Sequence, residues 1–252
     1  MSKTALIVGV ANNRSIAWAI AEQLHKQGVK LAFTFQGEAL ERRVRPLAES
    51  VNSEIVEPCD VTDDAQLENV ISKIKEKWGV LDVLVHSVAF AQREDLEGRF
   101  IDTSREGFTT ALNISVYSLI ALSRLAEPLM ENRNGSILTL SYYGSEKVVP
   151  NYNVMGVAKA ALESTVRYLA WDLGTKKIRV NAISAGPVKT LAACGVRDFR
   201  EILAQNEQKT PLKENISAED VGALGAFLAS DSAKHITGST MYVDSGAHIM
   251  AF

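Results

Sequence analysis

The feature that most constrains the fold is an alternation of short apolar runs with longer helical patterns along almost the whole chain. Runs typical of strands lie near residues 4–10, 29–35, 53–58, 80–86, 135–141, 178–184 and 239–243. Patterns typical of amphipathic helices lie near 14–27, 38–50, 63–78, 104–131, 152–173 and 217–230. Strands that alternate with helices form right-handed βαβ units and a parallel sheet covered on both faces. We therefore expect an α/β fold, with one doubly wound, Rossmann-like domain and a mainly parallel seven-stranded sheet.

Size and charge narrow the classes of function. With 252 residues, 46% of them apolar, the chain can bury one large core, and we expect residues 1–252 to form a single domain. A formal net charge of -3 and the lack of a basic run argue against a nucleic-acid partner. No metal-ligand motif stands out, and Cys59 and Cys194 lack the C-x-x-C spacing, so we expect no metal and reduced thiols. Without a long apolar run or a signal-peptide pattern, a cytoplasmic protein with no membrane span is expected.

The residues that follow the strand-like runs are the first candidates for a binding site, because ligands of parallel sheets bind beyond the carboxyl ends of the strands. These segments are rich in Gly, Ala and Ser and comprise 9–15, Gln36, 60–61, 87–91, 141–144 and 184–190. In the first of them, Gly9 permits a tight turn, and Ser15 offers a hydroxyl and an amide at a helix start. This geometry can cradle a phosphate. The spacing is not G-x-G-x-x-G, so an ordinary strand-loop-helix connection is the alternative.

Tyr152 and Lys159 form a second candidate site. They stand seven residues apart in a helical pattern, and at 3.6 residues per turn their side chains project from one face. A phenol is a weak acid unless a fixed cation stabilises its phenolate, and Lys159 can supply that cation. The alternative is that Tyr152 packs in the core and Lys159 is solvated.

Taken together, these segments resemble the short-chain dehydrogenase/reductase superfamily, in its divergent branch of enoyl-acyl-carrier-protein reductases. The similar segments are Gly9 to Ala17, Cys59 to Val61, His86 to Ala91, Pro150 to Met155, Arg179 to Pro187 and Val243 to Gly246. The combination of Tyr-x-x-Met-x-x-x-Lys with Ser-Ala-Gly-Pro is more specific than the glycine loop. The resemblance implies hydride transfer from NADH to C3 of a trans-2-enoyl thioester in type II fatty-acid synthesis.

The resemblance also implies roles for individual residues. Tyr152 is expected to stabilise or protonate the enolate oxygen, and Lys159 to hold the nicotinamide ribose. Tyr142 is expected to assist in orientation or proton delivery, with packing at a strand end as the alternative. Ala91 joins the two tyrosines in contacting the thioester. The other implied cofactor contacts are Gly9, Ser15, Ile16, Gln36, Asp60, Val61, Ser87, Val88, Val188, Lys189, Thr190, Leu191 and Ala192.

The spacing of Tyr152 and Lys159 also has a chemical interpretation. Ordinary members of the superfamily hold these residue types four apart, and three more residues add roughly 4.5 Å at 1.5 Å per residue of helix. Carbonyl reduction delivers hydride and proton to adjacent atoms. In an enoyl thioester, charge develops on an oxygen two carbons from the hydride acceptor, so the acid must stand farther from the nicotinamide.

The sequence also bears on the choice between NADH and NADPH and on the partners of the protein. Gln36 is neutral and residues 36–38 contain no Arg or Lys to neutralise a 2′-phosphate, which favours NADH, although Arg42 and Arg43 keep NADPH open. Residues near 190–207 resemble a substrate lid. Arg197 and Arg200 in that segment can attract an acidic acyl carrier protein, or can be a solvated basic face. The resemblance further implies a homotetramer.

Two other functions remain open from the sequence. A 3-oxoacyl or other carbonyl reductase is favoured by Asn113 and Ser141, which lie near positions that ordinary superfamily members use in catalysis. Against it stand the absence of Asn-Asn-Ala-Gly after the fourth strand and of the four-residue Tyr-Lys spacing. A non-catalytic NAD(H)-binding module is the second alternative, since fold does not guarantee activity.

Overall fold

The computed structural model describes residues 2–191 and 199–251, apart from the side chains of residues 199 and 200. Its strands are β1 (Thr4–Val8), β2 (Lys30–Phe35), β3 (Ile55–Pro58), β4 (Val83–His86), β5 (Ser136–Ser141), β6 (Arg179–Ala185) and β7 (Thr240–Val243). They form one sheet in the order β3-β2-β1-β4-β5-β6-β7. Each neighbouring pair is parallel, so the described sheet is wholly rather than mainly parallel. The predicted doubly wound, seven-stranded fold is confirmed.

Helices alternate with the strands as the sequence predicts, and residues 199–209 form a further helix that is absent from the predicted ranges. The helices are α1 (Ile16–Lys26), α2 (Gly37–Ser50), α3 (Asp64–Trp78), α4 (Arg105–Leu112), α5 (Ser118–Met130), α6 (Asn153–Gly174), α7 (Phe199–Lys209) and α8 (Ala218–Ala229). One face of the sheet is covered by α1, α2 and α8, through the fully buried Ile20, Val44 and Val221. The other is covered by α3, α5 and α6, through Leu119, Leu162 and their neighbours. Two apolar layers therefore hold the strands between them.

Two differences from the predicted elements lie close to the candidate binding site. The first strand ends at Val8 rather than at residue 10, because Gly9 has a φ of 105°, which ends the extended backbone. The helix expected over 104–131 is interrupted by a π-helical turn at Asn113–Tyr117, between α4 and α5. Such turns recur at functional sites in helices. Here, Ser115 of the turn contacts the segment that follows β4, where its hydroxyl accepts from the Phe90 N–H.

The helical stretch Arg105–Met130 is long and apolar enough, by length and composition, to cross a membrane, with a mean hydropathy of 1.2 over 18 residues. Within that window, 44% of the residues are buried inside the protein. Leu119 and Leu122 are fully buried, and the stretch packs against α3 and α6. A stretch that buries its apolar face against two other helices has the environment of a core helix.

The strand order reverses between β1 and β4. The chain moves outward from β1 to β2 and β3, then returns to pair β4 with the other side of β1. At this point the chain leaves the carboxyl ends of β1 and β4 in opposite directions. The loops that follow the two strands therefore diverge, and a crevice lies between them. The loops after β1, β2, β3 and β4 surround it.

Candidate active site

A cavity of about 540 Å³ occupies this crevice. Eleven of the residues predicted to contact a cofactor line it: Gly9, Ser15, Ile16, Gln36, Asp60, Val61, Ser87, Val88, Lys159, Thr190 and Leu191. They come from the ends of β1 to β4, from α6 and from the segment after β6. The fold therefore brings together residues that are up to 182 positions apart, from Gly9 to Leu191.

The remaining predicted residues lie elsewhere. Val188 and Lys189 line a neighbouring cavity of about 560 Å³, together with Asn13 and Arg14. Tyr152 lines a third cavity, of about 410 Å³, near the start of α6. Ala91 and Tyr142 line none of these cavities, although Ala91 and Tyr152 both pack against the core cluster of α3, α5 and α6. Ala192 lies outside the described residues.

The loop after β1 is shaped by Gly9 and Ser15. A Cβ atom on Gly9 would lie 2.1 Å from the carbonyl oxygen of Ser87, so only glycine lets the ends of β1 and β4 approach this closely. The Ser15 hydroxyl does not cap α1 as serines often do. It accepts from the N–H groups of Ala11 (3.0 Å) and Asn12 (3.1 Å), which folds the loop back onto the helix start. A hydroxyl that accepts keeps one O–H to donate.

Gln36 and Asp60 meet at the far end of the cavity, where β2 and β3 end. The Gln36 amide donates to Asp60 Oδ2 at 2.8 Å, and Asp60 Oδ1 accepts from the backbone and the hydroxyl of Thr62 at 2.9 and 2.7 Å. These hydrogen bonds, first of all the one from the Thr62 backbone, lower the pKa of Asp60. The result is a fixed negative charge beside a neutral amide, which repels a further phosphate at this position.

Lys159 lies in the second turn of α6 with its side chain buried. Its ammonium donates to the carbonyl oxygen of Leu140 at 2.7 Å, and the residue lines the main cavity. Burial lowers the pKa of Lys159 to about 8, while the negative charge of Glu163 opposes that shift. An ammonium has three donors, so one bond to Leu140 leaves capacity for a ligand in the cavity.

Tyr152 immediately precedes α6, and its ring packs against neighbours that fix its position. The ring of Tyr142 meets it edge to face, and a Cβ on Gly144 would come within 2.6 Å of it. Burial raises the pKa of Tyr152 above its usual value, and Tyr142 adds to the rise. Lys159 is not among the causes of this shift, so stabilisation of a Tyr152 phenolate by Lys159 stays a prediction. Tyr152 is a neutral O–H donor, and burial raises the pKa of Tyr142 in the same direction.

Several residues that line the main cavity are not among the site residues predicted from the sequence. Cys59 directly follows β3, and the strand-end rule would have found it. Cys59 lines the cavity. Its thiol is neutral, because burial, as the largest cause, raises its pKa to about 12. Ile114 and Leu140 line the cavity from the π-helical turn and from within β5, where no sequence signal marks them. The same turn places the Ser115 hydroxyl against the backbone of the segment after β4, where it accepts from the Phe90 N–H at 3.1 Å.

The fold and this site define a dinucleotide-binding oxidoreductase of the short-chain dehydrogenase/reductase kind. The family model described as "Enoyl-(Acyl carrier protein) reductase" matches residues 9–248, and the chain belongs to that family. The sequence resemblance is thereby confirmed.

Individual relatives agree with this assignment. The enoyl-[acyl-carrier-protein] reductase [NADH] FabI of Aquifex aeolicus is 55% identical over 98% of this chain and 92% of its own length. A Bacillus cereus enoyl-acyl carrier protein reductase, solved with NADP+ and indole naphthyridinone, superposes with a TM-score of 0.97 and 52% identity over 100% of both chains. An Anaplasma phagocytophilum enoyl reductase solved with NAD superposes with a TM-score of 0.94 and 49% identity, over 99% of this chain and 93% of that one.

Proposed function

We propose that this protein is an NADH-dependent enoyl-acyl-carrier-protein reductase, which reduces trans-2-enoyl thioesters in fatty-acid synthesis. One observation carries the proposal: Lys159 enters the crevice cavity from α6, and Tyr152 stands at the start of the same helix, seven residues earlier. Family membership fixes the reaction class. The seven-residue spacing suits this reaction, because the oxygen that Tyr152 must reach lies two carbons from the atom that accepts the hydride.

The crevice residues fit a dinucleotide. Gly9, Ser15 and Ile16 surround the pyrophosphate and its ribose, because the close loop and the helix start offer N–H and O–H donors. Asp60 and Val61 bracket the adenine. Gln36 contacts the adenine ribose, and its carboxylate neighbour Asp60 disfavours a 2′-phosphate, so NADH is preferred over NADPH. Ser87, Val88 and the segment 188–192 enclose the nicotinamide end, part of which lies outside the described residues.

Lys159 and Tyr152 have separate tasks, one toward the cofactor and one toward the substrate. Bound NADH supplies a hydride to C3 of the enoyl chain. Lys159 holds the nicotinamide ribose with the donors that Leu140 leaves available. Tyr152 donates its O–H to the thioester oxygen as negative charge develops there, and Tyr142 and Ala91 pack beside the substrate. A neutral donor suits this role, because its hydrogen bond to the thioester oxygen strengthens as negative charge develops in the transition state.

The hydroxyl of Ser141 argues against a carbonyl reductase. It is buried and donates to Glu163, so it is engaged inside the protein rather than directed at a substrate carbonyl. Ser141 therefore lacks the arrangement that the alternative function needs. Asn113 lies in the π-helical turn and does not by itself distinguish the two functions.

The wider setting of the enzyme is also part of the proposal. One domain carries both cofactor and catalysis, residues 190–207 act as the substrate lid, and the protein is cytoplasmic. The described residues include neither Arg197 nor the side chain of Arg200. Contact of these two arginines with the acyl carrier protein therefore remains a prediction. A homotetramer is supported by the outer face of α6, where Tyr168 and Trp171 are 73% and 84% exposed.

Nicotinamide absorbance tests the proposal directly. The protein should oxidise NADH with a short trans-2-enoyl thioester, and should do so faster than with NADPH or with a 3-oxoacyl thioester. Tyr152→Phe should lower kcat by about 10²- to 10³-fold while NADH still binds, since it removes one transition-state donor. Turnover of the 3-oxoacyl thioester alone would establish the carbonyl reductase, and NADH binding without any turnover would establish the non-catalytic module.

A further inference from the structure

Glu163 is a buried carboxylate with no assigned role. It follows Lys159 by four residues, one turn along α6, and both side chains point into the protein, where they are 9% and 6% exposed. Burying a carboxylate is costly unless it is hydrogen-bonded or faces a positive charge. Glu163 has both a hydrogen-bond donor and a cation nearby.

Two consecutive residues of β5 contact the two charged groups of α6. The carbonyl oxygen of Leu140 accepts from Lys159 Nζ at 2.7 Å, and the hydroxyl of the next residue, Ser141, donates to Glu163 Oε1. The end of β5 therefore fixes the ammonium and the carboxylate relative to each other. Lys159 lines the cavity, whereas Glu163 does not. The carboxylate is thus a supporting group behind the lysine.

The other ionisable groups around this pair are identifiable. His86 on β4 feels the charge of Lys159 but is itself neutral, because burial lowers its pKa to about 3. Tyr242 on β7 feels the charge of Glu163 and is hydrogen-bonded to Glu146. Glu146 and Asp244 add negative charge on the Tyr242 side. Among the groups that the structure describes here, Glu163 is the one that raises the pKa of Lys159 against the effect of burial.

We propose that Glu163, held by Ser141, is a positioning residue that keeps Lys159 protonated and directed at the ribose diol of the dinucleotide. The inference rests on the proposed role of Lys159 in binding the nicotinamide ribose. Glu163 touches neither the substrate nor the cofactor. Its effect is electrostatic and is exerted through Lys159.

The experiment measures the dissociation constant of NADH by calorimetry between pH 6 and 10, without enoyl substrate. In the unmodified protein the affinity should fall as pH rises through about 8, where Lys159 loses its proton. Glu163→Gln should move this midpoint about one unit to lower pH, because a nearby opposite charge shifts a pKa by that order. Affinity at pH 6 should stay nearly unchanged. Ser141→Ala should shift the midpoint in the same direction but by less.

Asp172→Asn is the matched control, since it removes one carboxylate from the exposed face of the same helix. It should leave the midpoint unchanged. A Glu163→Gln protein that binds NADH with the original midpoint, or that loses affinity equally at every pH, would overturn the proposal in favour of a structural role. If Glu163→Gln does not fold, Ser141→Ala decides, and an unshifted midpoint there has the same meaning.

The outcome is separable from the proposed function. Absence of enoyl turnover in the unmodified protein would refute the function itself. An unmodified protein that reduces enoyl thioesters, together with an unshifted Glu163→Gln midpoint, would refute only the inference about Glu163.

Discussion

The ring of Tyr142 meets the ring of Tyr152 edge to face, with centroids 5.0 Å apart and an interplanar angle of 74°. Tyr142 comes directly after β5, whereas Tyr152 precedes α6, so the contact joins the end of the sheet to the start of the helix. Gly144 leaves the space that the Tyr152 ring needs. The geometry gives Tyr142 a means of orienting the Tyr152 phenol without transferring a proton itself.

A positioning role for Tyr142 predicts that its ring matters more than its hydroxyl. Tyr142→Phe keeps the edge contact and should lower kcat less than tenfold. Tyr142→Ala removes a contact of about 0.5–1.5 kcal/mol and should lower kcat further than Tyr142→Phe does. Steady-state kinetics with an enoyl thioester measure both. If Tyr142→Phe were as damaging as Tyr152→Phe, the Tyr142 hydroxyl would take part directly in proton delivery.

Gly9 should tolerate no side chain. In Gly9→Ala the new Cβ would lie 2.1 Å from the Ser87 carbonyl oxygen, so β1 and β4 would have to separate at the binding crevice. We expect a destabilisation of about 2 kcal/mol or more, in the range of strained and overpacked substitutions, and loss of measurable NADH binding. Urea denaturation and calorimetry test this.

Gly28→Ala is the matched control for Gly9→Ala. Gly28 also has a positive φ, of 78°, but a Cβ there meets nothing within 4 Å. It should cost only the backbone strain, about 1 kcal/mol, and leave NADH binding intact. Equal loss of binding in both variants would show that backbone conformation, rather than the approach of Ser87, makes Gly9 necessary.

The preference for NADH should depend on charge at the end of β2. Gln36→Arg adds a cation where a 2′-phosphate would lie, so kcat/KM for NADPH should rise relative to NADH by about tenfold, equivalent to 1.4 kcal/mol. Asp60 accepts from Gln36 at 2.8 Å and would partly neutralise the new arginine. The double variant with Asp60→Asn should therefore favour NADPH further. A cofactor ratio that stays constant in both variants would place the discrimination elsewhere.

The sequence predicts this fold well because the governing signals are local. Each apolar run and each helical period is written in neighbouring residues, and the end of a parallel strand marks the binding edge. Gly9, Gln36 and Asp60 were found in this way. Their convergence on one cavity then follows from the strand order alone.

The parts of the site that escaped prediction depend on contacts between distant segments. Leu140 lies inside a strand, and Ile114 reaches the cavity through a π-helical turn that no residue pattern announces. The pKa of Tyr152 depends on how packing encloses the phenol, so the sequence could not show that burial would raise this pKa. Glu163 was visible in principle, since four residues after Lys159 is one helical turn.

His86 should make the protein sensitive to acid. The imidazole is fully buried, with Nε2 2.7 Å from the Ser118 hydroxyl and Nδ1 3.0 Å from that of Thr139. Ser118 donates its own proton to the Ile114 carbonyl, so Nε2 donates to Ser118. Burial lowers the pKa of His86 to about 3, so the ring is neutral and Nδ1 accepts from Thr139.

The direction of the pH effect follows from proton binding. Between about pH 6.5 and pH 3 the unfolded chain binds a proton at His86 that the folded protein does not, so stability is full above pH 6.5 and falls as pH decreases through this window. His86→Gln should be less stable at pH 8, because it repacks a buried site. The unmodified protein should nevertheless lose about 2 kcal/mol more than the variant between pH 8 and pH 5. Urea denaturation at both pH values measures the free energy of unfolding. All other titrating groups are shared by the two proteins. An equal loss of unfolding free energy in both would therefore mean that His86 can be protonated in the folded state.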